Sequence, residues 1–272
     1  VGFPVLLVNR RMPPGWSCGD ATVHIAECRT PEALPTIGGR YAEQKQVVWA
    51  RAFRNRMRLI PCAAERELVS RVDENTDTLG ELVGMHHGIR SKVGRGQVVG
   101  ERSEGPTWHP ALLGSDEIAR YSLWCEGGWI NVDPSLLFSG GWDPVHIAQP
   151  KLLIRRTGEE LIATVDEEGF YHTNALIYGI RVGPEHCAYS LHGILTFLNS
   201  RLYRYYYHRT TMKEGRTLPQ VEIDTLEQFP IRRIAFTTPA AERARLVAEG
   251  KKLYAEMVAE MTGGENHGTH DP

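Results

Sequence analysis

Apolar and β-branched residues form short runs in several segments, a pattern that predicts β-strands. Such runs lie at 3–9, 21–28 and 175–182, and another strand is predicted from about residue 128. The loop between the first two runs is polar and rich in turn-forming residues, so the pair predicts an antiparallel hairpin. An isolated hairpin is marginal in water. We therefore expect it to complete a sheet whose other strands lie elsewhere.

Apolar residues recur every three or four positions in three further segments, which predict helices. The first begins at Ala64, with an apolar face formed by Leu68, Val69 and Val72. The second spans 188–207, and its leucines recur at helical spacing, at Leu191, Leu195, Leu198 and Leu202. The third runs from Pro239 to Met261 and has Thr238 as its cap. Helical turns are also predicted over 38–53, and a short helix is predicted after Ser115 and Asp116.

Residues 150–166, PKLLIRRTGEELIATVD, predict a strand, a glycine turn and a second strand. The first strand ends in Arg155, Arg156 and Thr157. Arginines at a strand end are stable on any solvated surface, and they are also the side chains that bind phosphates well. The pattern alone leaves both interpretations open.

Strands and helices mix without a regular βαβ alternation, which favours an α+β fold, a mixed sheet with a C-terminal helix, over a doubly wound sheet. The chain is 42% hydrophobic and 24% charged, as globular proteins are. Its formal net charge is −2, so any nucleic-acid surface must be a local patch. No apolar run is long enough to cross a membrane. Five scattered cysteines favour reduced thiols and a cytoplasmic protein.

Catalytic signals are weak throughout the chain, and no phosphate-binding loop, nucleophile elbow or zinc-protease motif occurs. Glu43 and Lys45 have the E-x-K spacing of metal-dependent nucleases, with Asp20 upstream, and could hold Mg²⁺ against a phosphate. A solvated helix face is the more ordinary interpretation. His86 and His87 are adjacent on a predicted strand and point to opposite faces, so joint proton transfer is not expected.

Metal binding is not predicted from the remaining candidate spacing. Cys18, His24 and Cys28 lie close together in the sequence, but they lack a nearby fourth ligand.

Basic residues gather in three loops of this slightly acidic chain, which suggests a surface for a polyanion. Glycines separate several of them and let the backbone approach a ligand closely. The candidate DNA-binding residues are Arg90, Lys92 and Arg95 in the first loop, Lys151, Arg155, Arg156 and Thr157 in the second, and Arg201, Arg204, His208, Arg209, Lys213 and Arg216 in the third. The alternative is ordinary solvated loops beside a tyrosine-rich helix whose rings pack in the core.

Five motifs occur in a family's order: LGELVGMHHGIRSKVG, ALLGSDEIARYSL, PKLLIRRTGEELIATVDEEGFYHTNALIYGI, LHGILTFLNSRLYRYYY and LPQVEIDTLEQFPI. Together they resemble the TaqI-like C-terminal specificity domain of N6-adenine DNA methyltransferases. These enzymes belong to restriction–modification systems, including fused type IIG enzymes and phage-defence methylases. The resemblance covers about residues 77–234. Residues 1–28 look like the last strand pair of the family's methyltransferase domain.

The resemblance implies a division of labour between this chain and an upstream methyltransferase domain. The family's N-P-P-[YF] motif and glycine-rich S-adenosylmethionine loop are absent here, and both lie upstream in the family. The chain begins at Val1 within an apparent strand, so we expect a fragment of a longer protein. We expect no cofactor in this chain and S-adenosylmethionine in the parent protein, where the target adenine would be flipped. No catalytic residue is assigned.

The resemblance also implies double-stranded DNA as the partner. We favour phosphate contacts for Lys92 and Lys151 and leave the arginines open between base and phosphate. The predicted organisation is a methyltransferase strand pair (1–30), a helical linker (31–76), the DNA target-recognition domain (77–235), a C-terminal helix (236–262) and a disordered tail (263–272). Two alternatives remain, a domain that docks a partner subunit and a nuclease fragment that uses Asp20, Glu43 and Lys45.

Overall fold

The computed structural model describes residues 22–25, 42–45, 58, 60, 62–138, 143–182, 189–211, 219–233 and several residues between 241 and 255. Strand β1 (Thr22–Ile25) pairs antiparallel with β2 (Ala42–Lys45). The segment around Glu43 is therefore a strand and not the predicted helical turn. The predicted partner strand at 3–9 lies outside the described residues.

A four-stranded antiparallel sheet forms the centre of the fold, in the order β11-β10-β13-β4. Its strands are β4 (Val83–His87), β10 (Lys151–Arg155), β11 (Ala163–Asp166) and β13 (Leu176–Arg181). The hairpin predicted over 150–166 is confirmed as β10 and β11, and the strand predicted over 175–182 is confirmed as β13. Leu152, Leu153 and Ile154 are all fully buried, so both faces of β10 are covered.

A second four-stranded sheet has the order β12-β6-β9-β5. Its strands are β5 (Val99–Gly100), β6 (Trp108–Leu112), β9 (Trp129–Asn131) and β12 (Tyr171–His172). Strands β12 and β6 are parallel, whereas the other neighbours are antiparallel. The strand predicted from about residue 128 is thus confirmed as β9.

Helices pack against the two sheets. They are α1 (Ala63–Asp73), α2 (Leu79–Leu82), α3 (Pro144–Ile147), α4 (Leu191–Leu198), α5 (Arg201–Thr211) and α6 (Ile223–Leu226). The largest core cluster joins α1, α4 and α5 to this sheet, and a smaller cluster that includes Leu112, Leu153 and Tyr178 joins the two sheets. Strand β3 (Thr76–Thr78) pairs with β14 (Pro230–Arg232). The predicted α+β fold is confirmed.

The helix predicted over 188–207 is two helices, α4 and α5, separated at Asn199. The Asn199 side chain accepts a hydrogen bond from the Ala163 N–H at 3.1 Å and donates one to the Ala163 carbonyl at 2.9 Å. The Ser200 hydroxyl then accepts the N–H of Tyr203 and begins α5. Because the chain turns here, Leu202 is 44% exposed and leaves the predicted apolar face.

The helix predicted after Ser115 and Asp116 is also replaced, by a tight strand pair, β7 (Ile118–Ala119) and β8 (Ser122–Leu123). The buried Glu117 carboxylate accepts the N–H groups of Leu113, Gly114 and Glu126. These bonds hold the chain in a loop, where a helix would have used its own carbonyls.

Helix α1 confirms the helix predicted from Ala64, although only part of its predicted apolar face is covered. Val69 is buried and Val72 packs against the core, but Leu68 is 38% exposed. Near the C-terminus, residues 241, 244–245, 247–249, 251–252 and 255 are helical, where the final helix is predicted. The predicted tail lies outside the described residues. Among the described helices, none is long and apolar enough to cross a membrane.

Candidate nucleic-acid interface

The two sheets meet where the chain leaves β4 at Gly88. The Ile89 N–H donates to the His172 carbonyl at 2.9 Å, and the Asn174 N–H donates to the Ile89 carbonyl at 3.0 Å. A Cβ atom on Gly88 would lie 2.2 Å from the Thr173 carbonyl oxygen, so only glycine allows this close approach. This crossing fixes the two sheets beside an open cleft.

The cleft beside this crossing has a volume of roughly 370 Å³. Seven of its lining residues are apolar, namely Ile89, Val93, Val98, Val99, Leu113, Ile130 and Ala175. The other seven are polar or charged, namely Ser91, Arg95, Arg156, Thr157, Thr173, Asn174 and Gln220. Two arginines line it, and none of these fourteen residues is acidic. The cleft therefore offers hydrogen-bond donors and positive charge and suits an anionic or acceptor-rich ligand.

Arg156 is held in this cleft by its backbone and its side chain. Its N–H donates to the Ala175 carbonyl at 3.0 Å, and its carbonyl accepts the Val221 N–H at 2.7 Å. The guanidinium donates through Nη1 to the Asn174 carbonyl and through Nη2 to Gln220 Oε1, both at 3.4 Å. Arg156 thus bridges the two loops that form one wall of the cleft.

The turn after Arg156 keeps Thr157 beside the same wall. Thr157 forms an antiparallel bridge with Gln220, and the Gly158 N–H donates to the Pro219 carbonyl at 3.1 Å. Gly158 has φ +137°, which disfavours any other residue. The glycine turn of the hairpin therefore serves to pack the segment around Gln220 against the arginine.

Arg155, the last residue of β10, is not among the residues that line the cleft. Its Nη2 donates to the Ile118 carbonyl at 2.5 Å and ties β10 to β7.

Lys151 is fully buried, and its ammonium group is 2.6 Å from the Asp166 carboxylate. It also donates to the Ile147 carbonyl at 3.0 Å. The prediction that Lys151 contacts a DNA phosphate is therefore wrong, since the side chain has no exposed surface in this fold.

The first basic loop is exposed. Arg90 and Lys92 lie on a short extended segment that pairs with residues 136–138, and the Arg90 guanidinium lies 5.5 Å from the centre of the Phe138 ring. Arg95 begins a 3-10 turn at Arg95–Gln97 and lines the same cleft as Arg156. The structure thus brings Arg95, Arg156 and Thr157, predicted in two separate loops, to one cleft.

The third basic group lies on α5, away from the cleft lining. Arg201 is exposed, Arg204 is paired with Glu160, and Arg209 is 2.8 Å from the Glu65 carboxylate. Lys213 and Arg216 lie outside the described residues, and His208 is half-buried.

Three tyrosines of α5 pack their rings in the core, as the alternative to a DNA-binding surface predicted. Tyr203, Tyr206 and Tyr207 are buried in the core, and burial raises the pKa of each phenol, that of Tyr207 to about 12. Tyr206 accepts a hydrogen bond from Arg58 and donates one to Asp73. These three rings are therefore not available to stack on bases.

One family of known proteins matches the part of the chain that forms most of these elements. Residues 109–231 match the family described as the TaqI-like C-terminal specificity domain. This part of the chain is a TaqI-like C-terminal specificity domain. Domains of this kind recognise DNA targets for restriction–modification methyltransferases. None of the curated proteins compared with the chain matches it.

The specificity domain includes four of the five motifs that carry the resemblance and ends with β14. The first motif, which contributes β4 to the central sheet, precedes the match. Arg156, Thr157 and Gln220 lie within the matched residues, whereas Arg95 lies before them. The cleft is thus formed by the specificity domain and the segment that precedes it.

Two contributors to the cleft of the specificity domain were missed by the reasoning from sequence. Gln220 and Asn174 position Arg156, one through its side chain and the other through its backbone carbonyl. The sequence feature that could have pointed to Gln220 is its place in the LPQV segment, where a polar residue lies between apolar ones. Nothing local in the sequence connects it with Arg156, sixty-four positions away.

The weak catalytic candidates lie apart from the cleft lining. His86 stacks on Tyr178 with ring centres 5.0 Å apart and lies tilted against His146 with ring centres 4.8 Å apart. Arg156 and Glu222 instead act electrostatically on His87. Burial lowers the pKa of both histidines. The two rings have different neighbours, in keeping with opposite faces of a strand.

The nuclease and metal candidates fall largely on residues that the structure does not describe. Asp20, Cys18 and Cys28 lie outside the described residues, and Glu43 is exposed on β2, 3.8 Å from His24. Within the described part of the chain, no group of three or more His, Cys, Asp or Glu residues is placed to hold a metal ion.

Proposed function

We propose that this chain binds duplex DNA as the specificity part of an N6-adenine methyltransferase of a restriction–modification or phage-defence system. The observation that carries the proposal is the cleft that Arg95 and Arg156 line without any acidic residue. Positive charge concentrated in a chain of net charge −2 provides a local surface for a polyanion. The exposed Arg90 and Lys92 extend this surface beyond the cleft.

Methyl transfer is proposed to take place in a separate methyltransferase domain, which would bind S-adenosylmethionine and receive the flipped adenine. The cleft does not fit S-adenosylmethionine, because two arginines and no carboxylate would repel its sulfonium cation. This chain would supply the contacts that choose the DNA sequence. We also propose a cytoplasmic location, where such a protein would meet its DNA partner.

A salt titration on random duplex DNA tests the proposal. We expect affinity to fall steeply with salt, with a log–log slope of about −0.9 for each neutralised phosphate, and to favour duplex over single strands. Arg95→Ala should reduce the magnitude of this slope by about 0.9. Heparin serves as a polyanion control.

Duplex binding that is absent at low salt, or equal for duplex and heparin, would overturn the proposal. A domain that docks a partner subunit would then be the better interpretation. Cleavage that depends on Mg²⁺ and is abolished by Glu43→Ala would instead support the nuclease alternative.

A further inference from the structure

We infer that Arg156 reads a guanine in the major groove and that Arg95, which lines the same cleft, holds a backbone phosphate. Gln220 is the positioning residue that keeps the Arg156 guanidinium in its reading orientation. The inference rests on the proposed function and assigns different roles to the two arginines of the cleft.

Arg156 has the fixed geometry that reading a base requires. Its two terminal nitrogens donate long hydrogen bonds of 3.4 Å to Asn174 and Gln220, so each end of the guanidinium has one partner in the cleft. The residue is only partly exposed, and its backbone is bonded on both sides, to Ala175 and Val221. The Nε of Arg156 is buried without a hydrogen-bond partner, so the second N–H groups of Nη1 and of Nη2 are the donors that remain for a ligand. A guanidinium whose N–H donors are fixed in this way, as a planar fork, can discriminate between bases, because it can adopt few other orientations.

Guanine is the base whose edge fits these donors. It presents two acceptors, N7 and O6, side by side in the major groove, whereas adenine presents an acceptor and a donor and cytosine presents a donor. The lining contains no carboxylate that could accept the amino group of cytosine or adenine. The match between a donor fork and two acceptors therefore selects guanine.

Arg95 has the opposite character. It is exposed, and its side chain makes no hydrogen bond or ion pair with the described residues. Gly94 and Gly96 flank it, and a Cβ atom on either glycine would meet nothing within 4 Å. A long, unanchored cation in an open turn adapts to a phosphate at any sequence and cannot select a base.

The test begins with selection of the preferred duplex by the full chain, followed by affinities for Arg156→Lys and its matched control Arg71→Lys, at an exposed position of α1. Both variants keep the charge and remove the fork. We expect Arg156→Lys to lose roughly 5- to 150-fold of its preference at one G·C pair while its affinity for random DNA is kept. Arg71→Lys should keep both the preference and the affinity, whereas Arg95→Ala should weaken binding to every sequence alike.

Replacing that guanine by 7-deazaguanine removes the N7 acceptor and gives a second readout. The substitution should weaken DNA binding by the unmodified chain and leave the affinity of Arg156→Lys unchanged. Gln220→Ala should show a reduced response to 7-deazaguanine with normal affinity for random DNA, a pattern that a loss of folding would not produce.

Two outcomes count against the inference and are distinct from each other. Equal loss of affinity on all sequences in Arg156→Lys, with the 7-deazaguanine response intact, would show that Arg156 holds phosphate. Absence of salt-sensitive duplex binding in the unmodified chain would overturn the proposed function, and the inference with it.

Discussion

The ammonium nitrogen of Lys151 lies 2.6 Å from the Asp166 carboxylate, and both side chains are completely buried. Asp166 also accepts the N–H groups of Glu168, Gly169 and Phe170 at 2.8 to 3.0 Å. The pair therefore joins β10, α3 through the Ile147 carbonyl, and the turn after β11. It is an internal structural element of the central sheet.

Breaking this pair should destabilise the fold strongly. Lys151→Met leaves a buried carboxylate without its cation, which costs about 3–5 kcal/mol in comparable cases. Denaturant unfolding measures the change, and Lys92→Met at an exposed site should stay within about 0.5 kcal/mol. A Lys151→Met protein of normal stability that has lost DNA affinity would instead support the phosphate role predicted from the sequence.

His172 should make stability depend on pH. Burial, then the charge of Lys151, lower its pKa to about 4, whereas an unfolded histidine titrates near 6.5. Between these values the unfolded chain binds the extra proton, so stability falls as the pH falls from about 6.5 to about 4. The contribution is roughly 3 kcal/mol over this window. Unfolding of the unmodified chain and His172→Gln as a function of pH measures it, and identical slopes would contradict the prediction.

Asn199 should be required at the junction of α4 and α5. Asn199→Ala would leave the Ala163 N–H and carbonyl without their side-chain partner, at a cost of about 1–3 kcal/mol. Asn199→Asp, which keeps an acceptor and loses the donor, should be intermediate at neutral pH. Leu202→Ala should change little, since Leu202 is exposed. If Leu202→Ala costs as much as a core truncation, the two helices would be continuous in solution.

Glu160 should hold Arg204 back from DNA. The carboxylate pairs with both Arg120 and Arg204 and is 30% exposed. If Arg204 contacts phosphate, Glu160→Gln should strengthen duplex binding and steepen its salt dependence, with a stability change within about 1 kcal/mol.

The neighbouring Glu159→Gln makes the same change of charge at an exposed position and is the matched control. The gain should also disappear in the double variant Glu160→Gln/Arg204→Ala. Equal gains from the Glu159 and Glu160 variants would show a general effect of net charge and no release of Arg204.

The amino-acid sequence by itself determined the α+β class, the hairpin around the glycine turn, β13 and the family. These depend on local patterns, namely short apolar runs, turn residues and the order of motifs, and such patterns survive in any tertiary context. The strand β10 could be predicted because its run of apolar residues requires burial on both faces.

Tertiary structure alone decided which polar residues are available to a ligand. Arg155 and Arg156 are neighbours with the same chemistry, yet the Arg155 side chain donates to a carbonyl of β7 and the Arg156 side chain lines the cleft. Alternation along a strand predicts opposite faces, but not what covers each face. Lys151 became a core residue because Asp166, fifteen positions away, folds against it, and Gln220 joined the site because β10 ends beside it. Such pairings arise from packing between distant segments, and no local pattern contains them.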